Sequence, residues 1–456
     1  MAGIGFELRK LLDKPGYYGL VRAYFYAGVI GSGPWVLSII GILIVGFMSI
    51  GAVSPQFMVT QFQVSVTYLI LSSLMLTGFI QLAFTRFISD WLYKELDTHV
   101  LPNFNGALLL TTAVSGLFGL FMLWLFFDDT DMAYRLFMLS GFVILCDIWL
   151  ATVLLSGIKQ YHAILWNFAI GYLVAVAAAY LLRPYGLDGL LLGFILGHFV
   201  LLFGMIFIIV RHFPAGHFIA FEFMRPGIMY VRLIWIGFLY NFGVWIDKIL
   251  FWFFPDTSEH IVGPLRASLI YDLPIFLAYL AIIPGMAVFI MRIETDFSEY
   301  YEKFFDSVRN GGSLRRIEEL GAGMQYAVRQ GISEIIMVQS IAVLFIFLLG
   351  EKLLHWLNIS ILYLPLLYVD LVAAGLQVVF LGILTVLFYL DKLRLVLWLC
   401  ILFVVSNIVL TSASLYFGAS YYGYGFALSL LITVLVGMRI LSNKLMLLEY
   451  ETFMLQ

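Results

Sequence analysis

Apolar runs of about twenty residues recur along the chain, separated by brief polar stretches. A helix needs roughly 20 predominantly apolar residues to cross a bilayer. Twelve windows meet that pattern: 23–51, 59–85, 103–126, 136–157, 163–182, 189–210, 233–254, 267–291, 333–350, 361–390, 395–416 and 424–438. Lipid offers no partner to open backbone groups, so each window is expected to be helical. The reading is an all-α polytopic membrane protein.

Composition agrees with it. The chain is 63% hydrophobic and only 12% charged, against about 25% charged in soluble domains. The net charge of −3 gives no reason to expect a nucleic-acid partner. The distribution of charge says more. With the N-terminus inside, 20 of the 25 Lys and Arg fall in inner segments. Four fall outside: Arg135, Arg183, Arg266 and Lys352. Lysine and arginine concentrate on the cytoplasmic side of membrane proteins, so both termini are expected there.

The polar segments divide the chain. Residues 1–16 form an amphipathic pattern, with Ile4, Leu8, Leu11 and Leu12 opposite Glu7, Arg9, Lys10 and Lys14. That predicts a helix lying on the membrane surface. Six spans (17–210) precede the half-apolar stretch 211–232, "RHFPAGHFIAFEFMRPGIMYVR", and six follow in 233–456. The stretch reads as a cytoplasmic linker between two six-helix halves, a plan common in transporters. The longest polar segment, 292–332, is expected inside. Its Ser313 can cap a following helix. "GAGMQY" within it lacks a preceding strand and a third glycine, so it is no dinucleotide fingerprint. Lys303, Arg309, Arg315 and Arg316 lie there among Tyr300, Tyr301, Phe304 and Phe305, a pattern that suits a docking face for a cytoplasmic partner or a plain solvated connector.

No HExxH, GxSxG or P-loop lysine motif is present, and no His/Cys cluster has metal-ligand spacing. The chain is therefore read as a transporter without enzymatic activity, cofactor or metal. Cys146 and Cys400 lie in apolar runs and read as packing residues. So do Gly189, Gly193 and Gly197, whose spacing of four lets helices approach closely. His198 reads as hydrogen-bonded structure. The first span carries "GVIGSGPWV", where Gly31, Gly33 and Pro34 weaken helical bonding. It is either a kink or an unwound turn lining a substrate path.

Ionisable residues inside spans mark paths or ion sites by default. The carboxylates are Asp147, Asp247, Asp272 and Asp370, candidates for charge pairing or ion coupling. Lys248 adjoins Asp247 in "NFGVWIDKILFWFF". On a helix Asn241, Trp245, Lys248 and Trp252 share one face, and Asp247 points about 100° away. The two charges are thus expected to have separate partners, with Asp370 or Asp272 opposite Lys248. Indole faces beside Asn and Lys suit a sugar-contacting wall; the alternative is a lysine snorkelling to the interface.

The stretches "MAGIGFELRKLL" and "YAGVIGSGPWVLS", with the twelve-helix plan and the length, resemble the inner-membrane exporters of bacterial Pel exopolysaccharide systems. The resemblance extends over the whole chain and implies the multidrug/oligosaccharidyl-lipid/polysaccharide exporter superfamily. It implies two six-helix lobes around a central cavity lined by the first and seventh helices. It implies a cytoplasmic Pel glycosyltransferase and inner-membrane Pel scaffold subunits as partners, and a polymer rich in N-acetylgalactosamine. A bacterial inner-membrane location follows from the same resemblance. The alternatives are a cation-coupled small-molecule antiporter or a lipid-linked oligosaccharide flippase. An embedded transferase would need an acid–base pair that the sequence lacks.

Overall fold

The computed structural model describes residues 57–158, 160–214, 216–357 and 359–454, with 24, 26–28, 31, 37–42, 44–46 and 48 before them. The expected surface helix at 1–16, and Gly33 and Pro34 of the first span, lie outside the described residues. Residues 37–42 and 44–46 of the first expected span are helical.

The helices that follow are α1 (Phe57–Tyr93), α2 (Val100–Phe126), α3 (Met132–Gly157), α4 (Tyr161–Leu182), α5 (Gly186–His212) and α6 (Val231–Phe253). After a short hairpin come α7 (Leu269–Leu280), α8 (Ile283–Phe289), α9 (Ser298–Arg309), α10 (Leu314–Trp356), α11 (Leu364–Tyr389), α12 (Leu393–Phe417), α13 (Tyr424–Met446) and α14 (Leu448–Met454). Among the described residues nine helices are long and apolar enough to cross a membrane, or ten if the bent pair from Leu269 to Arg309 is one crossing. One of the nine, Tyr161–His212, is 52 residues long. At 1.5 Å per residue that is about 78 Å, more than twice the hydrocarbon core. It is two crossings, α4 and α5, turned back at the 3₁₀ turn Arg183–Tyr185.

Small residues explain that hairpin. A Cβ on Gly193 would sit 2.4 Å from Ala179 N, and one on Gly197 would sit 2.5 Å from Gly171 O. The backbones of α4 and α5 touch where glycine and alanine face each other, as the spacing of four anticipated. In the later half Gly425 does the same for α13, a Cβ there lying 2.4 Å from the Thr411 Cα of α12. Cys146 and Cys400 are buried and free.

The polar pattern misplaced the start of the ninth span furthest. The ninth span is not an isolated 333–350 helix but the far half of α10, which starts at Leu314. A helix need not stop where the lipid does; its polar residues simply continue in water. Ser313 caps α10, its hydroxyl accepting from the Arg316 amide. The glycines of "GAGMQY" have a packing role: Tyr300 and Phe304 of α9 pack against the Cα atoms of Gly323 and Gly321. A π-helix, Ile290–Phe297, joins α8 to α9. Within it Arg292 forms a two-pronged bond to Glu334 of α10, at 2.6 and 3.0 Å, and a third bond of 2.7 Å to Asp296. Glu451 of α14 accepts from Lys392 at 2.6 Å and from Lys444. Burial alone would raise its carboxyl, but those two lysines outweigh it and hold it below the usual carboxylate range.

Among the described residues, one departure from an all-helical fold follows α6. β1 (Glu259–Val262) and β2 (Leu265–Ala267) pair antiparallel, with Gly263 at φ +51° in the turn. Tyr68 of α1 donates to the Arg266 carbonyl at 2.8 Å and so anchors the hairpin.

The chain forms two compact units. One comprises Pro34–Trp245 and Phe251–Ser268, and so includes the 211–232 stretch; the other comprises Met1–Gly33, Ile246–Leu250 and Leu269–Gln456.

Candidate functional site

The sequence drew attention to α6, and the structure puts its two charges together. Lys248 and Asp247 are both fully buried, with Lys248 Nζ 3.1 Å from Asp247 Oδ2. This corrects the expectation that they have separate partners. The Cβ vectors diverge by about 100°, but the lysine chain is long enough to curl back. In a medium of low dielectric, a neighbouring carboxylate is worth far more than a distant one.

Two tyrosines complete the pair. Tyr271 donates to Asp247 Oδ2 at 2.6 Å. Lys248 Nζ lies 3.2 Å from the Tyr279 hydroxyl, and 5.2 and 4.9 Å from the ring centres of Tyr279 and Phe426. An ammonium over aromatic faces gains from the ring quadrupole. The sequence reading missed Tyr271, Tyr279 and Phe426. A usable signal existed for the tyrosines: eight residues apart, about two turns, they share one face of an apolar helix.

Asp370 of α11 is fully buried beside this cluster, and neither of its oxygens has a hydrogen-bond partner among the described residues. It is not the partner of Lys248. A buried carboxyl group without hydrogen bonds is costly when ionised, and Asp370→Asn offers the same shape with no charge. It should leave thermal stability of the purified protein unchanged or slightly higher; a clear fall in melting temperature would show the carboxylate to be ionised and needed.

The other carboxylates differ. Asp147 of α3 accepts from the Thr112 hydroxyl at 2.9 Å, a neutral partner in place of a cation. Asp272 is buried in the first turn of α7, where the unpaired amides of a helix start favour negative charge. His198 is hydrogen-bonded as read, its ring nitrogens 2.8 Å from the Phe194 carbonyl and 3.2 Å from the Tyr172 hydroxyl.

The remaining stripe residues are mostly enclosed. Trp252 is buried and stacks on Tyr68 with ring centres 4.6 Å apart. Trp245 is 3% exposed. Asn241 donates to the Leu74 carbonyl of α1 at 3.0 Å. It does so beside a close crossing, where a Cβ on Gly237 would lie 2.2 Å from Gly78 O. Gly31 faces Ile290, whose side-chain end would lie 2.3 Å from a Cβ built there. The basic residues of the 292–332 segment are exposed and locally paired: Lys303 with Glu299, Arg309 with Asp306 at 2.8 Å, and Arg315 and Arg316 with Glu319 at 3.2 and 3.9 Å. Exposed pairs of this kind contribute about 0.3–0.5 kcal/mol each, so a partner could exchange them at little cost. Phe304 is buried, whereas Tyr300 stays 39% exposed.

A family model for the PelG exopolysaccharide exporters (EPS-E) matches residues 1–453. No curated protein sequence matches the chain. Among solved structures, an outward-facing multidrug resistance transporter of the MATE family, in the MOP superfamily, is 13% identical with a TM-score of 0.67. The match covers 99% of each chain. A Vibrio cholerae MATE transporter variant is 11% identical over 97% of this chain and 98% of its own, with a TM-score of 0.65. A MOP-superfamily transporter from Pyrococcus furiosus is 12% identical over 94% and 96%, with a TM-score of 0.62. At such identities the likeness is one of fold: a MATE-like arrangement of about twelve helices in two lobes.

Proposed function

Because the chain belongs to the PelG family of exopolysaccharide exporters, we propose that it conducts a growing polysaccharide of the Pel type, rich in N-acetylgalactosamine, across the bacterial inner membrane. The chain is a multi-pass membrane transporter by family and by fold. The observation that carries the finer reading is the whole-chain family match. The polymer is handed over by a cytoplasmic glycosyltransferase held against the transporter by inner-membrane scaffold subunits. The exposed basic residues Lys303, Arg309, Arg315 and Arg316 are the docking surface for that synthase. Polymer passes Asn241, Trp245, Lys248 and Trp252, and Gly31, Gly33 and Pro34 of the first span.

Trp245 tests the path. Its indole is enclosed here, so a sliding sugar chain reaches it only when α6 moves. Trp245→Ala should reduce secreted polymer several-fold while the protein is still made and inserted. Wild-type secretion from this variant would remove Trp245 from the path. The second reading, a cation-coupled antiporter, draws on Asp370, a carboxyl group buried beside an ion pair. Efflux of small cations that depends on a proton gradient, in vesicles holding the purified protein, would favour it over polymer export.

A further inference from the structure

The 211–232 stretch reads as a soluble linker, but its exposed residues are of the wrong kind for one. Phe218 is 80% exposed, Met224 48%, Phe221 44% and Met229 43%. We infer that this segment is an interfacial strap that binds the anionic phospholipid surface on the basic side of the membrane.

The strap is held firmly along its inner edge. The Ala220 amide donates to the Pro102 carbonyl at 2.9 Å, and Asn105 Nδ2 to the Phe218 carbonyl at 2.8 Å. Asn103 bonds Glu222 twice: its Oδ1 accepts from the Glu222 amide at 2.8 Å, and its Nδ2 donates to the carboxylate at 3.1 Å. Phe223 is buried edge-on against Phe84 and Phe87. A Cβ on Gly106 would lie 2.0 Å from Ala220 O, so the strap lies directly on α2. These bonds fix which side faces out. The large apolar side chains on that side are therefore presented, not left over from a loose loop.

Its position selects lipid as the occupant. α5 ends at His212 and α6 begins at Val231, so both ends of the strap sit where spans leave the bilayer. Its apolar surface continues into the exposed faces of those spans, through Phe207 and Val210 on one side and Val231 and Trp235 on the other. Charge agrees. Arg211, Arg225 and Arg232 are exposed. The one acid in the stretch, Glu222, is bonded to Asn103 and His99 and also pairs with Arg225 at 3.8 Å, which leaves Arg211 and Arg232 as the unneutralised charges of the stretch. The neighbouring turn carries Lys94, Glu95 and Asp97, also exposed, so the basic excess belongs to the strap. Apolar residues at acyl depth beside basic residues at headgroup level are what an interfacial segment needs.

The test uses the full-length protein in nanodiscs of phosphatidylcholine alone or with phosphatidylglycerol. The native cysteines are buried, so nitroxides can be attached to single cysteines at Phe218, Met229 and, as a control, Gly216. The labels at 218 and 229 should collide several-fold more with oxygen, relative to a water-soluble nickel chelate, than the label at 216. Phosphatidylglycerol should raise the melting temperature of the wild type, and the rise should vanish in Arg211→Gln/Arg232→Gln and in high salt. Three results would overturn the inference. One is nickel access at 218 and 229 equal to that at 216. Another is a phosphatidylglycerol effect that survives both the substitutions and salt. Labels wet in nanodiscs but shielded in native membranes would also overturn it, in favour of a protein partner.

Discussion

Lys248→Ala is expected to destabilise the protein by about 3–5 kcal/mol, the usual cost of stranding one member of a buried ion pair. The substitution leaves Asp247 fully buried, with the Tyr271 hydroxyl still donating to it but no ammonium beside it. It also removes the cation that lies against Asp247 and close to Asp370. Asp247 must then take up a proton or the cluster must open. Lys248→Arg should cost less, since it keeps the charge, though a planar guanidinium does not fit the seat of a compact ammonium. The informative variant is Asp247→Asn/Lys248→Met. Replacing both charges often recovers most of the stability, so this double variant should fold better than Lys248→Ala. Thermal unfolding of purified protein in detergent reads all three. If Lys248→Ala melts within a degree or two of the wild type, the ammonium is not holding the cluster together.

The second large effect is expected at the α4–α5 hairpin. Gly193→Leu should abolish recovery of folded protein. A Cβ at that position meets the Ala179 backbone, N at 2.4 Å and Cα at 2.6 Å, and backbone cannot move aside as a side-chain end can. The helices must separate along much of their length, forfeiting the close packing that holds them in lipid. Gly193→Ala adds the same Cβ with nothing beyond it and should cost about 1–3 kcal/mol, the range for overpacking. Gly116 of α2 is the control, because nothing lies within 4 Å of its Cβ position. Gly116→Ala should be neutral or stabilising by up to about 1 kcal/mol through helix propensity. Size-exclusion profiles and melting temperatures separate these cases. Equal behaviour of the Gly193 and Gly116 alanine variants would mean that the hairpin backbones are not in contact.

The difference between those two glycines shows how far the sequence reaches. Apolar run lengths alone give the spanning helices, because a bilayer accepts only chains that bond their own backbone. The spacing of Gly189, Gly193 and Gly197 marks a packing face for the same local reason. Ser313 as a cap and the structural role of His198 were equally legible, since each depends on neighbours within a turn or on a single polar group in lipid. Other features required the fold. Helical geometry points Lys248 away from Asp247, yet burial among Tyr271, Tyr279 and Phe426 brings the two together, because in low dielectric proximity outweighs the rotamer's preference. Asp147, Asp272 and Asp370 look alike along the chain. Only packing makes one a threonine-bonded acid, one a helix-start carboxylate and one a buried carboxyl group with no hydrogen-bond partner among the described residues. The 211–232 stretch likewise has the composition of a linker. Hydrogen bonds from Asn103 and Asn105, more than a hundred residues away in sequence, decide which of its side chains face outward.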